Sequence, residues 1–254
     1  MFLEERHQEI LNILHKQGKV TVKDLSIRFN ISDSMIRKDL QFLEKDGKLK
    51  RTYGGALKIE RPLVEGAYFA QRVKVNTDVK KAIAQKAFQC IQEHDVVFLD
   101  VSSTAFILAK MLVNSEKVVT IITNMPIISS LISPSSQQAF IFIGGDYNLR
   151  VGGTIGASAI EQVLTYRCSK AFIGCSGADL SDGSITVSNA EDAHTKKAIL
   201  QIAKEPYLFI PSDYLQKDGL LTFSNIADYR GIIIENQPES EIMDKLDQYE
   251  VKIY

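Results

Sequence analysis

Apolar positions near the start of the chain recur every three or four residues, the spacing that places them on one face of an α-helix. Leu3, Ile10, Ile13 and Leu14 form the first such stripe, and Gly18 follows it as a stop signal. The pattern therefore predicts an amphipathic helix that ends just before this glycine.

A second amphipathic helix is predicted to begin at Thr21. Asp24 stands three residues after this threonine, which is a variant of the capping box that opens many helices. Val22, Leu25 and Phe29 then form an apolar stripe along one face. Two short helices therefore follow each other within the first 30 residues.

A third helix is predicted from residue 32 to residue 47, with Ile36, Leu40 and Leu43 facing inward. The opposite face carries, at helical spacing, Ser34, Arg37, Lys38 and Gln41. Hydroxyl, guanidinium, ammonium and amide groups in one row suit phosphate oxygens and the base edges of a DNA major groove, which admits one α-helix. The alternative is an ordinary solvated helix face.

A second basic cluster follows the third helix. Leu49 alternates with the basic residues Lys48, Lys50 and Arg51. Tyr53, Gly54 and Gly55 follow them. Alternation that ends in Gly-Gly predicts a short hairpin strand, whose cations would lie on the phosphate backbone beside a groove-bound helix. Three helices and a basic wing together predict a winged helix-turn-helix DNA-binding domain.

Beyond residue 75 the pattern changes to short, continuously apolar runs that alternate with helix-like stretches. The runs are 95–100, 118–123, 139–145, 170–175, 207–211, 231–235 and 250–254. Strands of this kind are usually buried on both faces, and their alternation with helices predicts a doubly wound, mostly parallel α/β domain. We therefore expect a DNA-binding domain over residues 1–57, a linker over 58–75 and an α/β domain over 76–254.

The ends of the predicted strands carry small and polar residues. Asp100, Ser102, Ser103 and Thr104 lead directly into a helix, where hydroxyls and backbone amides attract a phosphate; simple N-capping is the alternative. Further strand ends deliver Thr123, Asn124, Gly144, Gly145, Arg150, Gly174, Ser176 and Gly177. Because ligands bind at the carboxyl ends of the strands in such sheets, these residues predict a site for a small phosphorylated polyol.

The distribution of charge supports the division into two parts. Residues 1–58 hold twelve Lys or Arg and eight Asp or Glu, a net charge of +4, whereas the remaining residues hold 18 basic and 23 acidic side chains, a net charge of -5. The total of -1 therefore hides a basic N-terminal part joined to an acidic remainder. This asymmetry favours a nucleic-acid partner for the N-terminal part.

Several classes of protein are disfavoured by composition. An apolar run of the ~20 residues that a membrane span needs is missing, and the charged N-terminus differs from a signal peptide. Cys90, Cys168 and Cys175 form no C-x-x-C pair, which predicts reduced thiols in a cytoplasmic protein. The four histidines are scattered, so neither a metal site nor a Ser-His-Asp arrangement is expected, and no cofactor is implied.

These motifs resemble the DeoR family of bacterial transcriptional repressors. The family patterns "T-I-R-R-D-L" and "R-x-H-G-G-A" correspond to "MIRKDL" at 35–40 and "RTYGGA" at 51–56, with Met35, Lys38 and Tyr53 as departures. The resemblance implies a DNA-contacting set that consists of Ser34, Met35, Arg37, Lys38, Gln41, Lys48, Lys50, Arg51 and Tyr53. It also implies that the paired DNA-binding domains of a homo-oligomer, a dimer or tetramer, bind double-stranded operator DNA.

The resemblance extends over the rest of the chain. The family's C-terminal domain is similar to sugar-phosphate isomerases and senses a phosphorylated sugar or related metabolite. Its "D-x-G-T-T" loop corresponds to residues 100–104, with Ser102 and Ser103 substituted. Its "E-x-x-x-K" helix motif corresponds to Asp192 and Lys196, with the adjacent Glu191 as a shifted alternative for the acid. Its "D-x-S-K-F" element aligns with "PSDYL", where Pro211 replaces the Asp and Tyr214 the Lys. Lys217 or Asp213 could compensate from a shifted loop.

Two alternatives to a repressor remain open from the sequence. An isomerase-like enzyme could use Glu191, Asp192 and Lys196 for proton transfer, although four charged residues on one helix, these three and Lys197, favour an exposed surface with local pairing. The basic helix could instead dock a protein, in which case binding need not weaken steeply with salt. We expect a non-enzymatic repressor of a carbohydrate-metabolism operon, controlled by a phosphorylated sugar or polyol.

Overall fold

The computed structural model describes residues 3–45, 48–57, 68–215, 217 and 219–254. The chain forms two compact units, residues 1–66 and residues 67–254, which we call the head and the body. Of the linker predicted over residues 58–75, residues 58–67 lie outside the described residues, and residues 68–75 belong to the body.

The head contains the three helices and the hairpin that the sequence predicts, and one further strand. Its elements are α1 (Leu3–Gln17), β1 (Lys19–Thr21), α2 (Val22–Phe29), α3 (Asp33–Lys45), β2 (Lys50–Thr52) and β3 (Gly55–Leu57). The three strands form an antiparallel sheet in the order β1-β3-β2. Thr21 caps α2 as predicted, since its hydroxyl accepts from the Asp24 amide at 3.1 Å and donates to the Asp24 carboxylate at 2.7 Å.

The two glycines of the hairpin have different roles. Gly54 has a φ of +91°, a conformation that glycine adopts without the steric penalty of a Cβ. A Cβ on Gly55 would lie 2.0 Å from the carbonyl oxygen of Val20, so only glycine lets β3 approach β1 this closely. The Gly-Gly pair therefore makes the turn and also joins the hairpin to the rest of the head.

The body is built on a seven-stranded parallel sheet flanked by helices. Its first half comprises α4 (Phe69–Arg72), α5 (Thr77–Cys90), β4 (Val96–Leu99), α6 (Ser103–Val113), β5 (Thr120–Thr123), β6 (Ala139–Phe142), β7 (Asp146–Asn148), β8 (Gly153–Ile155) and α7 (Ala157–Leu164). Its second half comprises β9 (Cys168–Gly174), β10 (Gly177–Ala178), β11 (Ser184–Val187), α8 (Ala190–Ile202), β12 (Ala203–Phe209), β13 (Leu221–Asn225), β14 (Gly231–Ile233), α9 (Ser240–Asp247) and β15 (Lys252–Ile253). Short 3-10 turns cover Pro126–Leu131, Ser212–Tyr214 and Ile226–Asp228.

The strand order of the large sheet is β15-β14-β12-β9-β4-β5-β6, and every neighbouring pair is parallel. All seven predicted apolar runs supply these seven strands. Alternate residues of each strand enter two separate cores: Phe98 packs with α7, α8 and α9, whereas Val97 and Leu99 pack with α5 and α6. Both faces are thus covered, which confirms the predicted doubly wound α/β architecture.

Some features of the body differ from the predicted pattern. The edge strand β6 is only partly buried, with Phe142 exposed, because it has a neighbour on one side only. Two antiparallel pieces, the hairpin of β7 and β8 and the sheet of β10, β11 and β13, lie outside the seven apolar runs. Their strands have two to five residues, too few for a hydrophobic period to show.

Within the described ranges, no helix is both long and apolar enough to cross a bilayer. The same part of the chain contains no cluster of three or more His, Cys, Asp or Glu side chains that could hold a metal ion.

Candidate functional sites

One face of α3 presents the row of polar side chains that the sequence predicts. Ile36, Leu40 and Leu43 are buried in the head core, which turns the opposite side of the helix outward. The exposed residues on that side include Ser34, Met35, Arg37, Lys38 and Gln41, which we call the basic face. Exposed side chains in one row are available to contact a surface as large as a nucleic-acid groove.

A buried ion pair orients α3. The Arg6 guanidinium donates to both carboxylate oxygens of Asp39, at 2.7 Å from Nε and 3.1 Å from Nη2, and His7 lies 3.2 Å from the same carboxylate. The hydrogen bond to Asp39 raises the pKa of Arg6. Since Asp39 follows Lys38 directly, this bidentate pair fixes the rotation of the helix about its axis and therefore the direction of the basic face.

The wing, formed by β2, β3 and the turn between them, carries the second basic cluster. Leu49 is buried in the head core. The predicted residues Lys50, Arg51 and Tyr53 on the wing and Lys48 just before it are all exposed. The wing is tied to α3 because Glu44 accepts a hydrogen bond from the Arg51 amide at 2.9 Å.

The sequence analysis did not single out Phe42, an exposed ring on α3 whose centroid lies 5.2 Å from that of the His7 ring, on which it stacks.

In the body, the topology of the sheet points to the ends of β4 and β9. The chain runs outward in one direction from β4 through β5 and β6, and in the other from β9 through β12, β14 and β15. The strand order therefore reverses between β4 and β9, and open α/β sheets bind ligands in the crevice at such a switch point. Asp100 directly follows β4 and accepts a hydrogen bond from the Gly174 amide, at the end of β9, at 3.3 Å.

A cluster of buried charges lies at this point. Asp100 is fully buried and accepts a hydrogen bond from the Lys196 ammonium, which is 2% exposed. Asp192, one helical turn before Lys196 on α8, lies 3.4 Å from the same ammonium. We call these three side chains the strand-end cluster. Burial raises the pKa of Asp192 to about 6, and the nearby Lys196 charge opposes that increase.

The sequence-based expectation of an exposed charged surface on α8 is wrong for two of its four residues. Glu191 and Lys197 are exposed, but Asp192 and Lys196 face the sheet and are buried. Burial of an ammonium is tolerated here because two carboxylates surround it, and these attractions raise the pKa of Lys196 despite its desolvation. Asp192, and not Glu191, is thus the acidic partner of Lys196.

Three buried oxygens in or beside the cluster accept no hydrogen bond from the described residues. Oδ1 of Asp192 is one of them, although the Lys196 ammonium lies 3.4 Å away, and the other two are Oδ1 of Asp100 and Oδ1 of Asn124, both on fully buried side chains. The amide nitrogen of Asn124 is used, since it donates to the Thr154 carbonyl at 3.1 Å. A buried acceptor without a donor is costly, so this pair of oxygens indicates a place where a ligand's hydroxyl groups would bind.

Ser102, Ser103 and Thr104 begin α6 next to Asp100. The Ser102 hydroxyl accepts from the Ala105 amide at 3.0 Å, so the capping alternative holds for this residue. Gly174 is needed for the close fit of β9 to this turn, because a Cβ there would lie 2.7 Å from the Ser102 Cβ. The helix terminus, Asp100 and the end of β9 are thereby brought together.

Other predicted ligand residues are engaged elsewhere. Thr123 is fully buried, and its hydroxyl donates to the Leu99 carbonyl at 2.7 Å and accepts from the Met125 amide at 3.1 Å. The Thr123 hydroxyl therefore holds β4 and β5 together, and its place in the ligand site stays a prediction. Gly144 donates its amide to the Gln162 side chain at 2.9 Å, and a Cβ on Gly145 would meet Ala159 of α7 at about 3.2 Å. These two glycines contact α7.

The remaining predicted residues also serve the local fold. The Ser176 amide donates to the Thr186 carbonyl at 2.8 Å, and a Cβ on Gly177 would lie 2.1 Å from the Lys217 carbonyl oxygen, so both residues shape the small antiparallel sheet. Arg150 is exposed in the turn between β7 and β8. Its carbonyl oxygen accepts a hydrogen bond, at 2.7 Å, from Arg72. The sequence analysis had placed Arg72 in the linker.

The loop that departs from the expected family pattern forms a local ion pair. Lys217 lies 2.7 Å from the Asp213 carboxylate and its ammonium stands 4.4 Å from the centre of the Tyr214 ring. The two residues suggested as compensating for Pro211 and Tyr214 thus neutralise each other.

Two family models match the chain. Residues 6–61 match the model of a DeoR-like helix-turn-helix domain, and residues 75–236 match that of the DeoR C terminal sensor domain. The HTH-type transcriptional regulator YulB of Bacillus subtilis (strain 168) is 32% identical over 91% of this chain and 87% of its own length. The glycerol-3-phosphate regulon repressor of Escherichia coli (strain K12) is 24% identical over 98% of this chain and 97% of its own. These relatives are regulators and not enzymes, which removes the isomerase alternative.

Among solved structures, eIF2B delta from Chaetomium thermophilum superposes with a TM-score of 0.50 and 10% sequence identity. The superposition covers 82% of this chain and 65% of that chain, just under two thirds of its length. At this identity the likeness concerns the fold alone.

Proposed function

Because the chain belongs to the DeoR family of DNA-binding transcriptional regulators, we propose that it represses an operon of carbohydrate metabolism and that a phosphorylated sugar or polyol controls its operator binding. The basic face and the wing contact the operator in this proposal. The strand-end cluster and the start of α6 bind the effector.

The observation that carries the effector proposal is the pair of buried acceptors just after β4 and β5, next to the switch point. Asp100 Oδ1 and Asn124 Oδ1 need donors, and the hydroxyl groups of a sugar or polyol supply them. The adjacent N-terminus of α6, at Ser103 and Thr104, suits a phosphate because its backbone amides and helix dipole favour an anion. A ligand with hydroxyls at one end and a phosphate at the other fits both features.

Operator recognition follows from the direction of the basic face. Arg37 and Lys38 lie side by side with Gln41 one turn further on, so the helix can place a guanidinium and an amide against base edges while the wing cations meet phosphates. Paired heads of a homo-oligomer would occupy two half-sites whose spacing reflects the symmetry of the protein.

The name of the Escherichia coli relative, a glycerol-3-phosphate regulon repressor, supports a phosphorylated polyol as the class of effector.

The effector acts only through a difference in its affinity for two arrangements of the protein. In this proposal, the liganded body favours an arrangement in which the paired heads no longer match their half-sites. The ligand therefore lowers operator affinity by the ratio of its affinities for the two arrangements.

Thermal unfolding of the full-length chain tests the proposal. A panel of sugar and polyol phosphates is compared with the same compounds without phosphate, because a ligand that binds the folded state raises the midpoint by mass action. We expect one phosphorylated compound to raise the midpoint and its unphosphorylated form to have little effect. Equal shifts with both forms, or no shift across the panel, would contradict a phosphorylated effector.

A further inference from the structure

Met35 is an apolar residue within the otherwise polar basic face. Its side chain is 46% exposed, whereas the neighbouring members Ser34 and Arg37 carry groups that hydrogen-bond with water. Met35 also lies outside the apolar core that the described residues of the head form. A partner that covers the basic face also covers this side chain, and the burial is favourable when the partner offers an apolar group at that point.

The start of α3 holds Met35 in a defined position. Met35 is the third residue of the helix, and its amide donates to the Ser32 carbonyl at 3.0 Å. Asp39, one turn later on the same side of the helix, is held by the bidentate pair with Arg6. In helix-turn-helix proteins the N-terminal residues of the recognition helix reach the base edges. Met35 therefore lies in the turn of α3 that contacts bases in such a complex.

A second exposed apolar side chain on α3 differs from Met35 in its surroundings. Phe42 lies two turns later on the same side and is 58% exposed, but its ring stacks on His7 with the ring centroids 5.2 Å apart. Phe42 thus has a partner within the head and lies near the other end of the helix. Met35, in the first turn, is the residue placed for an apolar contact with DNA.

DNA displays one apolar group in its major groove, the 5-methyl group of thymine, and the other groups on the base edges there donate or accept hydrogen bonds. Arg37 and Gln41 suit those polar groups, because a guanidinium matches the acceptors of guanine and an amide matches adenine. The Met35 thioether is only a weak acceptor, but it is flexible and polarizable. It therefore suits packing on a methyl group.

We propose that Met35 packs on the methyl group of a thymine in each operator half-site, and that the protein thereby selects a T·A pair at that position. This inference rests on the proposed function, because it requires the basic face to lie in the major groove. It adds a base that is read by an apolar contact to those that are read by hydrogen bonds.

The test begins with an operator that the full-length protein selects from a random double-stranded DNA library. Each thymine of one half-site is then replaced, one at a time, by uracil, which pairs with adenine in the same way but lacks the methyl group. Fluorescence anisotropy gives the affinity of each DNA for the unmodified protein and for three variants. Met35→Gln introduces a polar group of similar length, Met35→Leu keeps an apolar side chain, and the control Ile27→Gln alters an apolar side chain that is 71% exposed on α2.

We expect uracil at one position to weaken binding of the unmodified protein about fourfold, the effect of losing one buried methyl-sized group. Met35→Gln should bind the thymine and uracil forms equally at that position, whereas Met35→Leu and Ile27→Gln should keep the difference. Because Met35 is exposed, the thermal unfolding midpoint of Met35→Gln should match that of the unmodified protein.

A second selection from the random library, made with Met35→Gln, gives an independent readout. We expect the preference for thymine at that position to disappear, while the preferences at the positions read by Arg37 and Gln41 remain. An unchanged preference for thymine would overturn the role of Met35.

The outcomes separate failure of this inference from failure of the proposed function. If Arg37→Ala weakens binding to the selected operator but no uracil substitution does, the basic face reads the operator and the role of Met35 is wrong. If the uracil effect persists undiminished in Met35→Gln, another side chain contacts the methyl group and the role of Met35 is again wrong. If no operator is selected, or if Arg37→Ala binds it as tightly as the unmodified protein, operator recognition by the basic face fails and this inference fails with it.

Discussion

Two helices of thirteen residues each, α3 in the head and α8 in the body, differ in where they place their cationic side chains. On α3 the cations Arg37 and Lys38 are exposed, and the buried acid Asp39 is held by an arginine of another helix. On α8 the cation Lys196 is itself buried, between Asp192 of its own helix and Asp100 of the sheet.

The difference reflects the size of the partner that each helix is proposed to meet. DNA is larger than the helix and brings its own charge and water, so cations that read it must stand in solvent. A small ligand enters the protein, where a low dielectric strengthens each interaction and each uncompensated charge is costly. The following predictions test this contrast in order of decreasing effect.

Lys196→Ala removes the cation from the strand-end cluster and leaves two carboxylates buried together. Because an uncompensated buried charge is strongly unfavourable, we expect the free energy of unfolding to fall by about 3–5 kcal/mol in urea titrations. Lys197→Ala, one residue on but exposed, serves as the matched control and should stay within about 0.5 kcal/mol. Equal effects of the two substitutions would refute the claim that burial separates them.

Arg37→Ala and Lys38→Ala each remove an exposed cation from the basic face. We expect each to weaken operator binding by about 1–3 kcal/mol and to reduce the slope of log K against log salt by roughly one, with little loss of stability. Fluorescence anisotropy at several salt concentrations measures both quantities, and Lys197→Ala is again the control. Operator affinity that is unchanged in both variants, or that does not depend on salt concentration, would favour a protein-docking role for this face.

Asp192→Asn tests the ionisation of a buried carboxylate. Burial raises its pKa to about 6 from a usual value of 3.8, so the folded protein holds a proton between pH 4 and 6 that the unfolded chain releases. The associated stability is fully present below about pH 4 and is lost as the pH rises through about 6. We expect the amide to stabilise the protein by about 1–2 kcal/mol at pH 7 and to show little difference at pH 4.

Urea unfolding at both pH values measures this effect, with Glu191→Gln on the exposed side of α8 as the control. A gain that persists undiminished at pH 4 would show that the carboxylate's ionisation is not its source.

The smallest expected difference concerns the caps of the two helices. The Asn189 side chain accepts from the Asp192 amide at 2.9 Å at the start of α8, whereas Ser32 accepts from the Met35 amide at 3.4 Å at the start of α3. We expect Asn189→Ala to cost about 1 kcal/mol and Ser32→Ala only a few tenths, since the longer hydrogen bond is weaker. Thermal unfolding of both variants measures this, and a larger cost at Ser32 would reverse the ranking.

Much of the fold was accessible from local pattern. Strands buried on two faces need unbroken apolar runs, so the run over residues 95–100 identified β4, and six others identified the rest of the sheet. The cap at Thr21 was equally visible because its partner, Asp24, is three residues away. Each of these patterns lies within one helix or strand and can therefore be recognised in a single sequence.

The candidate site was less accessible because its contacts join distant elements. The partner of Lys196 at the sheet, Asp100, is 96 residues away, and spacing along α8 alone resembles an exposed ion pair. Arg72 reaches carbonyls 78 and 79 residues further on, from a segment without any hydrophobic period. Thr123 shows the converse difficulty, since a polar residue at a strand end has the same sequence pattern whether its side chain faces a ligand or a neighbouring strand.

The bidentate pair between Arg6 and Asp39 makes α3 a natural target for engineering. It anchors the helix from its buried side, so side chains on the opposite side can be exchanged without disturbing its orientation. If these residues read the operator as proposed, a library that varies positions 34, 35, 37, 38 and 41, and keeps Asp39 constant, is expected to alter operator preference while the scaffold remains intact. Retargeted repressors would then keep the proposed effector site and switch a different promoter.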